Sequence, residues 1–514
     1  MSKIKKRMII IISIVLAVII VLAIAGYFVL RHFTAPARQP GEITADAVVQ
    51  TDKGALQGRK NNGVYNFLGV EYAVAEKLFQ PAEEVGPWEG VKDATEYGPS
   101  SMQSNFLGDF GAWVSGVKYD NDCQNLNIWA PENAENAPVM VWLHGGGFST
   151  GSAYAMAAYN GENLARTQNV VVVSVNHRLN ILGHLDLSAY GEEYRYSANV
   201  GIYDIVQSLE WIQRNISAFG GDPDNVTLFG QSGGGAKILA LMTSPYAKGL
   251  FDKAIVQSGA TETVGVSFTE AEASRALTEN ILGRLGISGD NIGEIQNVTY
   301  HDMMRAGDAA LAEVGAQFSI PAPFGGYGME WEPVVDGDFI PSHPVTEDGF
   351  AENGRDIPLL IGSNLYEWTR YMSSEQVNVT PEIETAFQEA YPNEPISDAR
   401  YTDTLIRLPM LKIMSHKADQ KGANVYSYLY TYGVSNHGAE IANVFANGSG
   451  YMSDIMSQIW ANFARTGVPS AEGLPEWEAY TRESGACMIL DDVSYLAHHH
   501  DDALMKLIKP DYVW

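Results

Sequence analysis

The chain is poor in cysteine and in positive charge. Two cysteines, Cys123 and Cys487, stand among 514 residues. That number excludes a disulfide framework and any cysteine-ligated metal motif, and it permits one disulfide at most. Lys and Arg total 33 against 61 Asp and Glu, a formal net charge of -28. Such a surface repels nucleic acid and anionic lipid headgroups, so nucleic acid is excluded as a partner. The same acidity keeps the chain soluble and mildly favours neutral or cationic ligands. Internal repeats and low-complexity runs are missing, which excludes solenoids and arrays. Charged residues make up only 18% and hydrophobic ones 46%, which excludes a disordered chain and allows a large core.

One long apolar run is present. Lys3, Lys5, Lys6 and Arg7 precede it, and it extends unbroken over 23 residues from Met8 to Leu30. A helix rising about 1.5 Å per residue carries that length across a hydrocarbon core of about 30 Å. The positive-inside rule places the basic tail, residues 1–7, in the cytoplasm and the bulk of the chain outside the cell membrane. The competing reading is a secretory signal cleaved near Ala25, after which the protein is secreted. The run continues past that position, so a single-pass signal-anchor at 8–30 is expected. Residues 31–45, which contain two prolines, read as a linker. Residues 46–514 read as one domain.

In that domain strand and helix signals alternate, the mark of an α/β architecture. "PVMVWL" (138–143), "VVVVSV" (170–175) and "NVTLFG" (225–230) are continuous apolar runs, suited to strands buried on both faces of a parallel sheet. Ile202, Ile205, Val206, Leu209, Ile212 and Ile216 recur at helical spacing. "GGAKILALMT", from Gly234, reads as a second helix.

Ser232 lies between a strand and that helix, in Gly230-x-Ser232-x-Gly234. The spacing fits a nucleophile elbow, a strained turn that lifts a serine oxygen clear of the sheet; side chains two residues either way would collide with strand and helix. "HGGGF", His144 to Phe148, follows another strand. Its glycines allow backbone N–H groups to turn toward a substrate oxygen, as an oxyanion hole requires.

These pieces resemble the type-B carboxylesterase family, the group of bacterial carboxylesterases and animal cholinesterases. "FGGDPDNVTLFGQSGG" (219–234) follows that family's serine signature. "DCQNLNIWAP" (122–131), "NHRLNILG" (176–183), "FDKAIVQSG" (251–259), "EPVVDGDFIP" (332–341) and "WANFARTGVP" (460–469) match in family order. The resemblance implies an α/β-hydrolase fold, with a large, mostly parallel central sheet flanked by helices. It implies a serine carboxylic-ester hydrolase working through an acyl-enzyme, with no cofactor and no metal, on a small or medium ester. The family's triad order is Ser, acid, His. His437, in the loop "SNHGAEI" after the alternating strand "NVYSYLYTYG", is the expected base. His301 and His343 come early, His416 sits in what reads as an exposed helix, and His498 to His500 form a terminal cluster. Glu367, after the strand "PLLIG", is the expected acid, with Asp336 as its rival in a turn. The N–H groups of Gly146, Gly147 and Gly233 are the expected oxyanion donors.

The chain departs from the family at several points. Gln231 stands where glutamate is usual, Gly233 where alanine is usual, and His177 where tyrosine is usual. Tyr366 and Trp368 replace the aspartate and glycine that often flank the acid. Cys123 matches a family cysteine whose upstream partner is missing. Trp113 lies where cholinesterases use an aromatic residue to hold choline, and a packing role is expected for it here. The alternative to an esterase is an inactive adhesion or recognition domain on the same fold. Oligomeric state is not legible in the sequence.

Overall fold

The computed structural model describes residues 41–103, 117–263, 265–322, 325–375 and 377–514. The basic tail, the expected membrane-spanning run 8–30 and Trp113 lie outside the described residues. Of the expected linker, residues 41–45 are described, and Glu42 already pairs with Lys60. No helix among the described residues is long and apolar enough to cross a membrane.

An eleven-stranded sheet organises the chain. In chain order its strands are β1 (Arg59–Asn61), β2 (Val64–Glu71), β3 (Asn125–Pro131), β4 (Ala137–Leu143), β5 (Val171–Val175) and β6 (Gly221–Gln231). They continue with β7 (Lys253–Gln257), β8 (Leu359–Asn364), β9 (Val425–Tyr430), β10 (Ala486–Leu490) and β11 (Tyr495–His498). Their spatial order is β11-β10-β9-β8-β7-β6-β4-β5-β3-β2-β1. Every neighbouring pair from β10 across to β5 is parallel. The pairs β5–β3, β3–β2, β2–β1 and β10–β11 are antiparallel. The expected parallel sheet is therefore the centre of a mixed one.

Successive strand side chains point to opposite faces. Along β4, Val139, Val141 and Leu143 enter one core, while Met140 and Trp142 enter the other. Helices α1 (Val200–Asn215) and α2 (Gly233–Thr243) cover the first face. Helices α3 (Ala271–Leu285) and α4 (Tyr300–Gln317) pack on each other in a third cluster with Trp331. Helix α5 (Arg407–Asp419) joins the first core, and α6 (Tyr451–Thr466) covers the second face.

Two expectations change. The strand ending before His437 has all six residues of β9 buried, because it lies between β8 and β10 with helices on both faces. Its alternation therefore does not divide a buried face from an exposed one. Helix α5, expected to be exposed, is mostly buried, and His416 is half-buried on it.

One ion pair ties the sheet to α1. Arg178, just after β5, meets Asp204 of α1 through two contacts of 2.8 and 2.5 Å. Both side chains are buried. Asp204 also accepts the Arg178 backbone N–H at 3.0 Å and the Gln124 amide at 3.1 Å. Every donor around this carboxylate would be orphaned by its loss. Asp204→Ala is expected to destabilise the fold by about 3–5 kcal/mol, since it strands a buried guanidinium. Chemical unfolding checks this, and the double replacement Arg178→Met with Asp204→Leu should recover most of the loss.

Candidate active site

Ser232 sits where β6 hands over to α2, with φ 57° and ψ -127°. Non-glycine residues seldom adopt that backbone, so the turn must be held from outside. A Cβ on Gly230 would come within 2.6 Å of the Gly234 backbone and 2.9 Å of the Leu143 carbonyl. A Cβ on Gly234 would collide with the same Leu143 carbonyl. Both glycines are thus required by the approach of β4. The Ser232 N–H donates to the Gln257 carbonyl of β7 at 2.8 Å, and the Ser232 carbonyl accepts from Ala236 at 3.1 Å.

The glycine loop leaves β4 and packs on the elbow. Gly146 and Gly147 have φ 99° and 59°. A Cβ on Gly233 would collide with the Gly147 carbonyl. Backbone therefore meets backbone here, and the alanine usual in the family does not fit this arrangement. The N–H groups of Gly146, Gly147 and Gly233 have no acceptor among the described residues. Gly146 and Gly147 line the same cavity as Ser232, a cleft of about 610 Å³ whose other walls include Met156, Glu330, Trp331 and Trp368.

Glu367 opens a short helix, Glu367–Tyr371, three residues after β8. Its φ is 40°, a second strained position. The carboxylate is fully buried. Oε2 lies 2.5 Å from His437 Nδ1. Oε1 accepts the Ser258 hydroxyl and the Asn364 N–H, each at 2.7 Å. The His437 N–H also donates to the Glu367 carbonyl at 3.0 Å, so main chain and side chain both fix the pair. Trp368 lies against the imidazole, with ring centroids 4.4 Å apart. Asp403 is buried nearby, and burial followed by the Glu367 charge pushes its carboxyl up to about 7. Burial likewise raises Glu440, which accepts from Gln257 and Asn364.

With Nδ1–H given to Glu367, His437 Nε2 carries a lone pair. That nitrogen lies 3.1 Å from the Gln231 amide nitrogen. Ser232 Oγ makes no hydrogen bond among the described residues. The structure thus places Ser232 and His437 on one cleft, with Glu367 buried against His437 and Gln231 rather than Ser232 on the other side of the ring.

The rival assignments fall elsewhere. Asp336 accepts the N–H groups of Asp338 and Ile340, each at 2.9 Å, and so shapes a turn. His343 pairs with Glu270 at 2.8 Å outside this cleft. In the terminal cluster His498 faces Glu478 and His499 faces Asp502. Among the described residues no group of three His, Cys, Asp or Glu is placed to hold a metal ion. Cys123 and Cys487 are both buried and free.

Sequence reasoning missed three residues. Ser258 stood in "FDKAIVQSG" without a role; its position just past a parallel strand was the signal. Asp403 left no local signal, since its importance comes from Glu367 across the fold. Lys237 was visible as the one cation in an apolar helix.

Comparison with known proteins shows the family. The model of the carboxylesterase family matches residues 45–396 and 393–503. The para-nitrobenzyl esterase of Bacillus subtilis is 32% identical over 86% of this chain and 94% of its own. The phenmedipham hydrolase of Pseudarthrobacter oxydans is 28% identical over 91% of this chain and 98% of its own. A solved esterase of Clostridium hathewayi, described as able to hydrolyse aliphatic aromatic polyesters, superposes with a TM-score of 0.80. It is 35% identical and covers 92% of this chain and all of its own.

The Gln231–His437 contact makes a pH prediction. A carboxylate at 231 would favour imidazolium, and a protonated ring cannot serve as a base. Gln231→Glu is expected to move the acidic limb of kcat/KM upward by about 1–3 pH units. A pH–rate profile of the two proteins checks it.

Proposed function

Since the chain belongs to the carboxylesterase family and is a carboxylic-ester hydrolase, we propose that it works by acyl transfer through Ser232, Glu367 and His437. The observation that carries this reading is the 2.5 Å contact between His437 and a buried carboxylate, in the cleft that also holds Ser232.

Glu367 fixes the His437 tautomer with Nε2 free to accept a proton and stabilises the imidazolium that results. His437 takes the Ser232 proton as the serine oxygen attacks the ester carbonyl. The anionic oxygen moves toward the N–H groups of Gly146, Gly147 and Gly233. His437 then protonates the leaving alcohol, and water resolves the acyl-enzyme by the same route.

The substrate in this reading is a neutral ester of small or medium size with an apolar group. The cleft volume of about 610 Å³ and its Trp331, Trp368 and Met156 walls support it. Gln231 supports it too, because the usual carboxylate beside the nucleophile is replaced by a neutral amide. The long apolar run at 8–30 supports an anchor that holds this domain outside the cell membrane.

Two measurements test the proposal. Ser232→Ala is expected to lose roughly 10⁴–10⁶-fold in kcat on p-nitrophenyl esters; equal turnover in both proteins would sink the Ser232 assignment. The full chain in its host membrane should resist carbonate extraction, whereas a protein lacking residues 1–31 should not.

A further inference from the structure

Helix α2 carries a lysine where the fold has no evident use for one. Lys237 is fully buried, five residues after Ser232. Its Nζ donates to the His144 carbonyl at 2.9 Å. It also lies 5.7 Å from the centroid of the Phe148 ring. No carboxylate pairs with it among the described residues. A buried cation with one carbonyl and one ring for company is costly, which calls for a compensating role.

That carbonyl begins the glycine loop. The His144 ring continues the chain of contacts, with Nδ1 2.8 Å from the Gly145 carbonyl. A carbonyl can only accept, so Nδ1 carries the proton. In a trans peptide the C=O and the following N–H point in opposite directions. Holding the Gly145 carbonyl on a buried ring therefore turns the Gly146 N–H away from it, toward the cleft. Without such a hold, three successive glycines could rotate their peptides at little cost.

We propose that Lys237 is the positioning residue of the oxyanion hole. Its amine grips the His144 carbonyl, His144 grips the Gly145 carbonyl, and the two bonds aim the Gly146 N–H at the substrate oxygen. The buried charge also favours negative charge developing on that oxygen. This rests on the acyl-transfer reading of Ser232.

The titratable groups that face Lys237 are three histidines. His144 belongs to the glycine loop, His177 follows β5, and His184 ends the short helix Asn180–His184. His144 and His177 stack with ring centroids 5.1 Å apart. Burial first, and then for His144 and His177 the Lys237 charge, hold those two rings well below their ordinary pKa. Burial depresses His184 to about 3. All three are neutral near pH 7, and each leaves Nε2 without a protein donor. Burial lowers Lys237 itself to about 7. The lysine charge is present below that value and lost above it, so the aid to the oxyanion fades as pH rises.

The test compares wild type, Ser232→Ala and Lys237→Met on p-nitrophenyl butyrate and a trifluoromethyl ketone. The ketone adds to a serine to give an anionic tetrahedral adduct. Lys237→Met is expected to lose about 10–10²-fold in kcat with KM changed by less than about 2-fold, and to lose ketone affinity by the same factor. The alkaline limb of the wild-type kcat/KM profile should be missing in Lys237→Met. A variant with wild-type kcat and ketone affinity, or one that keeps the alkaline limb, overturns the proposal. Should Lys237→Met not fold, wild type decides alone. Ketone affinity that weakens above neutral pH supports the proposal, and a flat profile from about pH 7 to 10 overturns it. Undiminished turnover in Ser232→Ala would instead remove the reading beneath it.

Discussion

The site depends on one backbone constraint, the positive φ of Ser232 at the end of β6. A strained residue of this kind costs about 1–3 kcal/mol and persists only where its surroundings leave no alternative. Here the surroundings are backbone. The Leu143 carbonyl of β4 presses on Gly230 and Gly234, and the Gln257 carbonyl of β7 takes the Ser232 N–H. Strands on both sides of β6 therefore fix the turn, and the central position of β6 in the sheet makes this possible. The glycine loop then leaves the same β4 and meets Gly233. Nucleophile and N–H donors are referred to one strand pair.

The acid side is built by a different rule. Glu367, Asp403 and Glu440 are three buried carboxyl groups in one region. Like charges in a dry site cannot all ionise freely. Asp403 answers by rising to about 7, driven by burial and by the Glu367 charge. Glu367 keeps three donors: Ser258, Asn364 and His437. The hydrogen-bond donors thus gather on the carboxylate that touches His437. Each supporting donor comes from the carboxyl end of a strand or just beyond, the edge at which open parallel sheets collect ligands.

Much of this was legible in the sequence. The β-branched runs of β4, β5 and β6 read correctly because strands buried on both faces need no alternation. The tyrosines of β9 misled for the same reason: "YSYLY" alternates in sequence, yet both faces are covered. Ser232 was legible because an elbow demands glycine at fixed offsets. Glu367 and His437 needed family order as well, since a carboxylate and an imidazole in loops carry no local signature. The antiparallel edges of the sheet and Asp403 depend on tertiary neighbours and left no such mark, and Ser258 showed only its place just past a parallel strand.

Two of the departures from the family pattern flank the nucleophile. Gln231 and Gly233 stand on either side of Ser232, and Lys237 follows five residues after it. Gly233 has no Cβ, and the Gly147 carbonyl fills that space, bringing the glycine loop onto the elbow. A loop of glycines pressed close gains nothing unless its peptides are also oriented. The His144 and Gly145 carbonyls are held by Lys237 and by the His144 ring. Gln231 then faces the base with an amide where a carboxylate would add a negative charge beside the developing oxyanion. A neutral amide at 231 and an amine at 237 act in the same direction on that oxygen. Gln231 and Lys237 thus form one arrangement in the proposed mechanism, a neutral amide on the base and a buried amine behind the glycine loop.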